Sequence, residues 1–368
     1  MSERTPTPGA EVLGAFALEG AFLHCESLKR GHIHDTFVGT WETAAGPRRA
    51  VVQCINTHVF RDPGAVMDNL LRVTEHQRRA LERAGAPDAE RRALRVVPAR
   101  DGRAFALDDA GRPWRCFPFV EGTVSHERPA HPGQALEAAR AFGGFVACLA
   151  DLPPPPLHVT IPGFHDLRGR GAAFEAAVAR DAAGRARSVA REIDATRAWL
   201  ERAAALADES GLPRRAVHND CKLNNLLFDA VRDEALCVVD LDTVMDGSVV
   251  HDFGELVRTA TCFGAEDERD LAGMRVELEL HEALARGFAR GAGPLLTPAE
   301  RDALATAGAR MALENSVRFL TDYLDGDVYF RVKGPTHNLD RQRAQLRLAD
   351  LLFAERATLE RHVREAAP

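Results

Sequence analysis

The stretch His218-Asn219-Asp220-Cys221-Lys222-Leu223-Asn224-Asn225 places an aspartate two residues after a histidine and an asparagine five residues after that aspartate. Two short apolar runs follow, at residues 226–228 and 236–239, with a polar segment between them. Such a pair of runs predicts a β-hairpin. Because the outer ends of a hairpin lie side by side, we expect Asn225 and Asp240, which flank it, at the same end.

The residue types of this stretch suit one chemistry. The spacing is that of the kinase catalytic loop, where a carboxylate orients an acceptor hydroxyl and takes its proton. Asp220 is the candidate for that base. Mg²⁺ prefers oxygen ligands, so Asn225 and Asp240 are the candidate metal ligands. A plain hairpin with an aspartate at one strand end is the alternative interpretation, but the joint pattern favours the functional one.

The tripeptide Asp252-Phe253-Gly254 repeats the letters that carry a metal-binding aspartate in protein kinases. Here it precedes a helical pattern instead of ending a strand. The sequence therefore predicts that Asp252 is a helix N-cap, with Glu255 completing a capping box, and that it supports the loop without binding metal.

Length and charge bound the remaining possibilities. A chain of 368 residues predicts two domains, which we place at residues 1–119 and 120–368. A formal net charge of -7 argues against a nucleic-acid partner. No apolar run approaches the roughly 20 residues of a membrane helix, and the polar start lacks a signal-peptide core. The expectation is a cytoplasmic protein without a membrane partner.

The seven cysteines are scattered and contain no CxxC pair, which favours reduced thiols over disulfides or a zinc site. Cys221, beside Asp220, is a weaker candidate for a nucleophile because no activating partner is evident.

Hydrophobic patterns predict an α+β fold with a small β-rich N-terminal lobe and a larger, mainly helical C-terminal lobe. A cleft between two such lobes is a common ligand site. The predicted strands are residues 21–28, 36–42, 49–55, 94–99, 103–107 and 114–120. The predicted helices are residues 65–83, 134–149, 172–183, 191–206, 276–290, 299–324 and 339–361.

A nucleotide needs contacts from the small lobe. The loop at residues 31–35, which begins with Gly31, joins two predicted strands and is the candidate phosphate loop. Gln53 on the third strand and Phe117 and Val120 near the joint between the lobes complete the candidate nucleotide site.

These motifs resemble the aminoglycoside phosphotransferase and choline kinase superfamily. Several longer stretches are similar to the N-acetylhexosamine 1-kinase group, the most specific being RFLTDYLDGDVYF at residues 318–330. The resemblance implies a protein-kinase-like bilobal fold, ATP and Mg²⁺ as co-substrate and cofactor, and the anomeric hydroxyl of an N-acetylhexosamine as acceptor. It also implies that Asp220 is the base, that Asn225 and Asp240 bind magnesium, and that His32, Asp220, Arg318 and Tyr329 contact the sugar.

The helix predicted at residues 299–324 adds Asp322 to the sugar candidates. Its apolar residues recur at helical spacing, which places Arg318 and Asp322 on other faces. Polar groups beside aromatic rings suit a sugar, which has apolar faces and hydroxyl edges. Solvated surface charges are the alternative interpretation.

One residue departs from the superfamily pattern. The third strand usually carries a lysine that grips the phosphates, but this chain has Gln53, which brings no positive charge. Lys222 or an arginine of the helical lobe could supply that charge. Glu75, at the place of the usual acidic helix partner of the lysine, is then interpreted as a surface residue.

Two alternatives stay open from the sequence. A cationic acceptor such as an amino alcohol or an aminoglycoside could bind the acidic group Asp322, Asp325 and Asp327. A nucleotide-binding pseudokinase with a partner-binding role would explain Gln53, although the intact Asp220, Asn225 and Asp240 argue against it.

Overall fold

The computed structural model describes residues 7–28, 33–206 and 211–366. The chain divides into two compact units. Unit 1 comprises Met1–Val124, Asp151–Pro162 and Leu227–Asp246, and unit 2 comprises Ser125–Ala150, Gly163–Leu226 and Gly247–Pro368. The predicted α+β class is confirmed.

Twelve strands occur among the described residues, most of them short. They are β1 (Ala21–Ser27), β2 (Asp35–Thr43), β3 (Gly46–Cys54), β4 (Ala106–Leu107), β5 (Pro113–Pro118), β6 (Thr123–Val124), β7 (Arg215–Val217), β8 (Leu226–Asp229), β9 (Ala235–Val238), β10 (Met245–Gly247), β11 (Cys262–Phe263) and β12 (Arg275–Val276).

Eleven α-helices occur among the same residues. They are α1 (Ala10–Ala15), α2 (Pro63–Arg83), α3 (Ala89–Arg92), α4 (Pro132–Cys148), α5 (Leu167–Arg180), α6 (Ala190–Leu206), α7 (Val249–Ala260), α8 (Leu278–Ala292), α9 (Pro298–Asp325), α10 (His337–Ala354) and α11 (Arg356–Glu365).

Unit 1 is built on a five-stranded antiparallel sheet in the order β1-β2-β3-β5-β4. Val52 of β3 lies opposite Cys116 of β5, and both are fully buried in the core on one face. Because side chains alternate along a strand, their neighbours Gln53 and Arg115, which also lie opposite each other, share the other face. The predicted hairpin is confirmed as β8 and β9, which are adjacent in a second sheet with β6.

Unit 2 is helical, and glycines allow its helices to pack closely. A Cβ built on Gly287 of α8 would lie 2.2 Å from the carbonyl oxygen of Leu136 in α4. Gly291, one turn later, is equally close to the carbonyl of Arg140. Gly308 of α9 would meet Val257 of α7 at 2.4 Å. Backbones approach where no side chain intervenes, so these three positions fix the spacing of two helix pairs.

The predicted elements differ from the observed ones in several places, and the strand predicted at residues 103–107 is reduced to β4, Ala106–Leu107. Residues 94–99 form only isolated bridges, Val97 with Cys116 and Ala99 with Phe16, so the strand predicted there is wrong. The helix predicted at residues 339–361 is two helices, α10 and α11, separated at Glu355. The break brings His362 into the interior, where its Nδ1 lies 3.2 Å from Nδ1 of His281 in α8.

No helix in the described part of the chain combines the length and apolar character needed to cross a membrane. None of the seven cysteines, all of which lie in the described part of the chain, forms a disulfide bond.

Gly287→Ala is expected to destabilise the protein by about 1–3 kcal/mol, the usual cost of overpacking, because the added methyl collides with backbone. Gly144→Ala in α4 is the matched control: a Cβ there meets nothing within 4 Å. It should stabilise by about 0.5–1 kcal/mol through helix propensity. Urea unfolding of both variants measures the difference, and equal effects would contradict the close packing.

Candidate active site

Asp220 lies at the centre of a set of contacts made by its own loop. The amide nitrogen of Asn225 donates to Asp220 Oδ2 and to the Asp220 carbonyl, both at 2.9 Å. Lys222 Nζ lies 2.9 Å from the same Oδ2. A 3₁₀ turn at Leu223–Asn225 returns the chain towards Asp220, which explains the five-residue spacing. The sequence prediction that Asp220 and Asn225 act together thus has a geometric basis.

The Asp220 carboxyl is held in its charged form. Burial raises its pKa, but the charges of Lys222 and His218 and the Asn225 hydrogen bond together outweigh burial, and the net pKa lies below the ordinary value. The side chain remains 19% exposed. An ionised, accessible carboxylate is the form that can accept a proton. Burial instead raises the pKa of the Cys221 thiol well above 9.0, so that residue is not an activated nucleophile.

Asp252 anchors the backbone of the loop that carries Asp220. Its carboxylate accepts hydrogen bonds from the backbone N–H groups of His218 at 2.9 Å and Asn219 at 2.6 Å. Asn219 has a φ of 65°, in the left-handed region that such contacts must stabilise. The predicted supporting role of Asp252 is thereby confirmed.

The predicted capping role of Asp252 is wrong. Helix α7 begins three residues earlier, at Val249, and Ser248 is the N-cap that accepts from the backbone N–H of Val250. Asp252 therefore lies in the first turn, and its carboxylate is directed at the backbone of His218 and Asn219. Glu255 does not complete a capping box either, because it forms an ion pair with Arg258.

A buried ion pair supports the same loop from another direction. His165 Nε2 lies 2.7 Å from the carbonyl oxygen of Asn219, and His165 Nδ1 lies 3.0 Å from Glu314 Oε1. Both partners are acceptors, so both ring nitrogens donate and the imidazole is charged. Burial lowers the pKa of His165, but Glu314 and the Asn219 carbonyl reverse this and leave it raised. The same pairing outweighs burial at Glu314 and lowers its pKa to about 2.

Unit 1 contains a second polar cluster, made by His34, Asp240 and Asp242. One side-chain ligand atom from each lies within 4.8 Å of the others, a spacing that could hold a metal ion. The backbone N–H of Asn56 donates to His34 Nδ1, so Nε2 carries the proton that it shares with Asp242 Oδ2 at 2.5 Å. With both ring nitrogens engaged, the donors that remain are carboxylate oxygens, which suit Mg²⁺.

Arg115 neutralises the buried part of this cluster. Its guanidinium forms a bidentate pair with Asp242, with Nη2–Oδ2 at 2.8 Å. Its Nε donates to Gln53 Oε1 at 3.0 Å, and Gln53 Nε2 donates to Thr36 Oγ1 at 3.0 Å. Burial raises the pKa of Asp242, but Arg115 and His34 bring it well below the ordinary range. The cation that lies beside Gln53 is thus Arg115 of β5.

Three of the predicted sugar contacts, Arg318, Asp322 and Tyr329, lie in unit 2 and differ from one another in burial and in the groups that they contact. Arg318 lies with its Cζ 5.8 Å from the ring centre of Phe164 and 5.4 Å from that of Phe330, and Tyr329 is 59% exposed. Asp322 is buried, and its two oxygens accept from the backbone N–H groups of Tyr329 and Phe330. Asp322 therefore shapes the loop that presents the rings.

The nucleotide candidates are only partly described. Gly31 and His32 lie outside the described residues. Phe117 is buried in β5, with its ring 5.2 Å from Arg115 Cζ, and the Val120 carbonyl accepts from Thr123 Oγ1. Glu75 is bound by Arg78 and Arg79 on the surface of α2, as interpreted from the sequence.

Sequence reasoning missed His165, Glu314 and Arg115. Isolated histidines and arginines carry no spacing pattern, and their partners lie 54 to 149 positions away in the chain. For Arg115 a signal existed, because a charged residue within an otherwise apolar strand is unusual.

A model described as the phosphotransferase enzyme family (APH) matches residues 53–304, more than half of the chain. The chain belongs to this family. The matched residues include residues 218–225, Asp240 and Asp252.

Solved structures of low sequence identity show the same fold. An aminoglycoside phosphotransferase from Alicyclobacillus acidocaldarius matches with a TM-score of 0.60 at 13% identity, over 99% of this chain and 98% of that one. A microcompartment-associated aminopropanol kinase matches at 0.54 and 16%, over 95% and 97%. An ethanolamine kinase from Plasmodium vivax matches at 0.54 and 10%, over 88% and 82%. The predicted kinase-like bilobal fold is confirmed.

Glu314→Gln is expected to remove the loss of folding stability that the native protein shows as pH rises through the pKa of His165. In the native protein the raised pKa of His165 contributes stability below about pH 6.5, and this contribution is lost as pH rises through the folded value. Without Glu314 the buried imidazole is neutral, so the variant should gain stability relative to the native protein as pH rises. Removing one partner costs about 3–5 kcal/mol where the pair is charged.

Chemical denaturation between pH 6 and 9 tests this expectation. Glu300→Gln is the matched control, since Glu300 is equally buried but pairs with Arg215, which does not titrate in this range. A pH-independent difference between native and Glu314→Gln proteins would contradict the charged state of His165.

Proposed function

We propose that this phosphotransferase is an ATP- and Mg²⁺-dependent small-molecule kinase whose acceptor is the anomeric hydroxyl of an N-acetylhexosamine. The observation that carries the proposal is the ionised Asp220 carboxylate with Asn225 and Lys222 at 2.9 Å. It combines a base, an amide and a cation on one anchored loop, which are the parts that phosphoryl transfer uses.

Asp220 acts on the acceptor. Its carboxylate accepts a hydrogen bond from the attacking hydroxyl and aligns the oxygen with the γ-phosphorus. It takes the hydroxyl proton as the new O–P bond forms and the bond from the γ-phosphorus to the bridging oxygen of ATP breaks, so that ADP is the leaving group. Lys222 remains beside the base and stabilises the negative charge that develops on the transferred group. We infer direct, in-line transfer, since the Cys221 thiol next to Asp220 is not activated as a nucleophile.

Asn225 and Asp240 are the proposed magnesium ligands. The amide nitrogen of Asn225 is used by Asp220, so its amide oxygen is the atom available to a cation. In unit 1 a carboxylate oxygen of Asp240 lies within 4.8 Å of ligand atoms of both His34 and Asp242, a spacing that supports Asp240 as the anionic ligand. Bound Mg²⁺ would neutralise the phosphate oxygens of the nucleotide.

The charges around Arg318 support a neutral acceptor over a cationic one. The Asp322 carboxylate accepts hydrogen bonds from backbone N–H groups, Asp325 pairs with Arg180, and Asp327 pairs with Arg185. The acidic group that could have bound an amine is therefore committed within unit 2.

The basic residues near those rings point the same way. Arg170 donates to the carbonyl oxygen of Phe164, and its pKa is lowered by burial and by the charge of Arg318. Two neighbouring guanidiniums repel a cation and suit the oxygens of a sugar. The exposed ring of Tyr329 offers the apolar surface that a sugar face covers.

The direct test is ADP release from Mg·ATP with N-acetylglucosamine, N-acetylgalactosamine, glucose, galactose, choline and kanamycin, with the product phosphate located by NMR. Release specific to an N-acetylhexosamine, with phosphate on the anomeric carbon, is the expected outcome. Turnover only with choline or kanamycin would overturn the acceptor. Nucleotide binding without any turnover would favour the pseudokinase.

Asp220→Asn is expected to lower kcat about a hundredfold or more, because an amide cannot take the hydroxyl proton. Asp233→Asn, in the turn between β8 and β9, is the control and should retain the native rate. Steady-state kinetics at saturating Mg·ATP measures both. An Asp220→Asn protein with the native kcat would show that the base is elsewhere.

Asp240→Ala is expected to abolish the Mg²⁺-dependent part of ADP affinity, since it removes the proposed anionic ligand. Calorimetric titration with ADP, with Mg²⁺ and then with EDTA, separates the metal contribution. A variant that keeps the native gain in affinity from Mg²⁺ would exclude Asp240 as a ligand.

A further inference from the structure

A row of polar side chains crosses the sheet of unit 1 at a single register. Thr36 of β2 lies opposite Gln53 of β3, and Gln53 lies opposite Arg115 of β5. The three are hydrogen-bonded in sequence, from Arg115 Nε to Gln53 Oε1 and from Gln53 Nε2 to Thr36 Oγ1, each at 3.0 Å. Both ends of the Gln53 amide are therefore engaged by the sheet.

Arg115 ends this row and is committed to Asp242. It is only 1% exposed, and Nη1, Nη2 and Nε all have acceptors, two of them the oxygens of one carboxylate. A planar guanidinium matches a carboxylate in this bidentate way, which fixes orientation as well as distance.

Asp242 is in turn the anchor of the loop that follows β9. Its carboxylate also accepts from His34 Nε2, and its backbone carbonyl accepts from Thr160 Oγ1 at 2.7 Å. Asp240, two residues earlier, has a φ of 60°, a conformation that a non-glycine residue keeps only when its surroundings impose it. Holding Asp242 therefore constrains the backbone of Asp240.

We propose that Arg115 is the positioning residue for Asp240: it fixes Asp242 to the sheet and thereby holds the Asp240 carboxylate in the orientation that binds the metal. This inference rests on the proposed function. It assigns to β5 the buried cation that the chain lacks at Gln53.

Two other possible roles for Arg115 predict different effects of its removal on nucleotide and metal binding. If Arg115 contacted the nucleotide phosphates, its loss would weaken binding with or without metal. If Asp242 were itself a metal ligand, Arg115 would compete with the cation, and its loss would strengthen metal binding. A positioning role acts only through Asp240, so its loss weakens binding only when Mg²⁺ is present.

The experiment is calorimetric titration of Arg115→Met, Arg115→Lys and the native protein with ADP, in Mg²⁺ and in EDTA. We expect Arg115→Met to lower affinity for Mg·ADP about tenfold or more, the scale of residues that orient metal ligands, and to leave ADP affinity in EDTA unchanged. Arg115→Lys keeps the charge without the bidentate geometry and should lie between.

Arg112→Met is the matched control. Arg112 directly precedes β5 and pairs instead with another buried aspartate, Asp108, at 2.7 Å. It should bind Mg·ADP with native affinity. If Arg115→Met fails to fold, the double variant Arg115→Met/Asp242→Leu removes both buried charges, a replacement that cores tolerate, and the same metal-dependent loss is expected.

Three results would overturn the proposal: equal loss in Mg²⁺ and EDTA, tighter Mg·ADP binding, or no change. They are distinguishable from failure of the proposed function. A native protein that binds no Mg·ADP would defeat the kinase assignment, whereas native binding with an unaffected Arg115→Met would defeat only the positioning role.

Discussion

The carboxylate of Asp252 accepts two consecutive backbone N–H groups, those of His218 and Asn219, with no exposure to solvent. A backbone with positive φ at Asn219 needs such a fixed acceptor, because the conformation is otherwise costly for a residue with a side chain. Asp220 follows directly, so the direction of its carboxylate depends on this contact. Burial raises the pKa of Asp252, and the two N–H donors together with nearby histidines oppose that rise.

The same loop is held a second time through its carbonyl oxygen. His165 donates to Asn219 O and is itself kept charged by Glu314, which α9 places in the interior. Amide and carbonyl of one residue are thus tied to different elements, α7 and the segment before α5. A loop fixed at both groups cannot rotate its peptide planes independently, which is the preorganisation that electrostatic catalysis requires.

The sequence predicted those features that depend on local order. The pairing of Asp220 with Asn225 follows from their spacing, the hairpin β8–β9 follows from two short apolar runs, and the supporting role of Asp252 follows from its place near the start of a helical pattern. The exact helix start did not, because Ser248 and Asp252 are both good caps and only the three-dimensional position of the loop decides between them. The hydrogen bonds from the backbone N–H groups of Tyr329 and Phe330 to the Asp322 carboxylate carry no local spacing signal, so the sequence did not predict them.

Gln53 shows that the charge at one position of a sheet also depends on the residue directly opposite it on the neighbouring strand. A side chain on β3 and the one directly opposite it on β5 share a face of the sheet and lie about 5 Å apart. Moving a cation from one to the other keeps positive charge at nearly the same place, although the sequence positions differ by 62 residues. The cation on β5 differs from a lysine on β3 in one respect. The buried Arg115 guanidinium is held by its ion pair with Asp242, so it cannot extend to a ligand as a flexible lysine side chain can. Under the proposed function the charge of Arg115 therefore holds the geometry of the loop after β9, and Lys222, which lies beside Asp220, is the cation that would face the transferred phosphate.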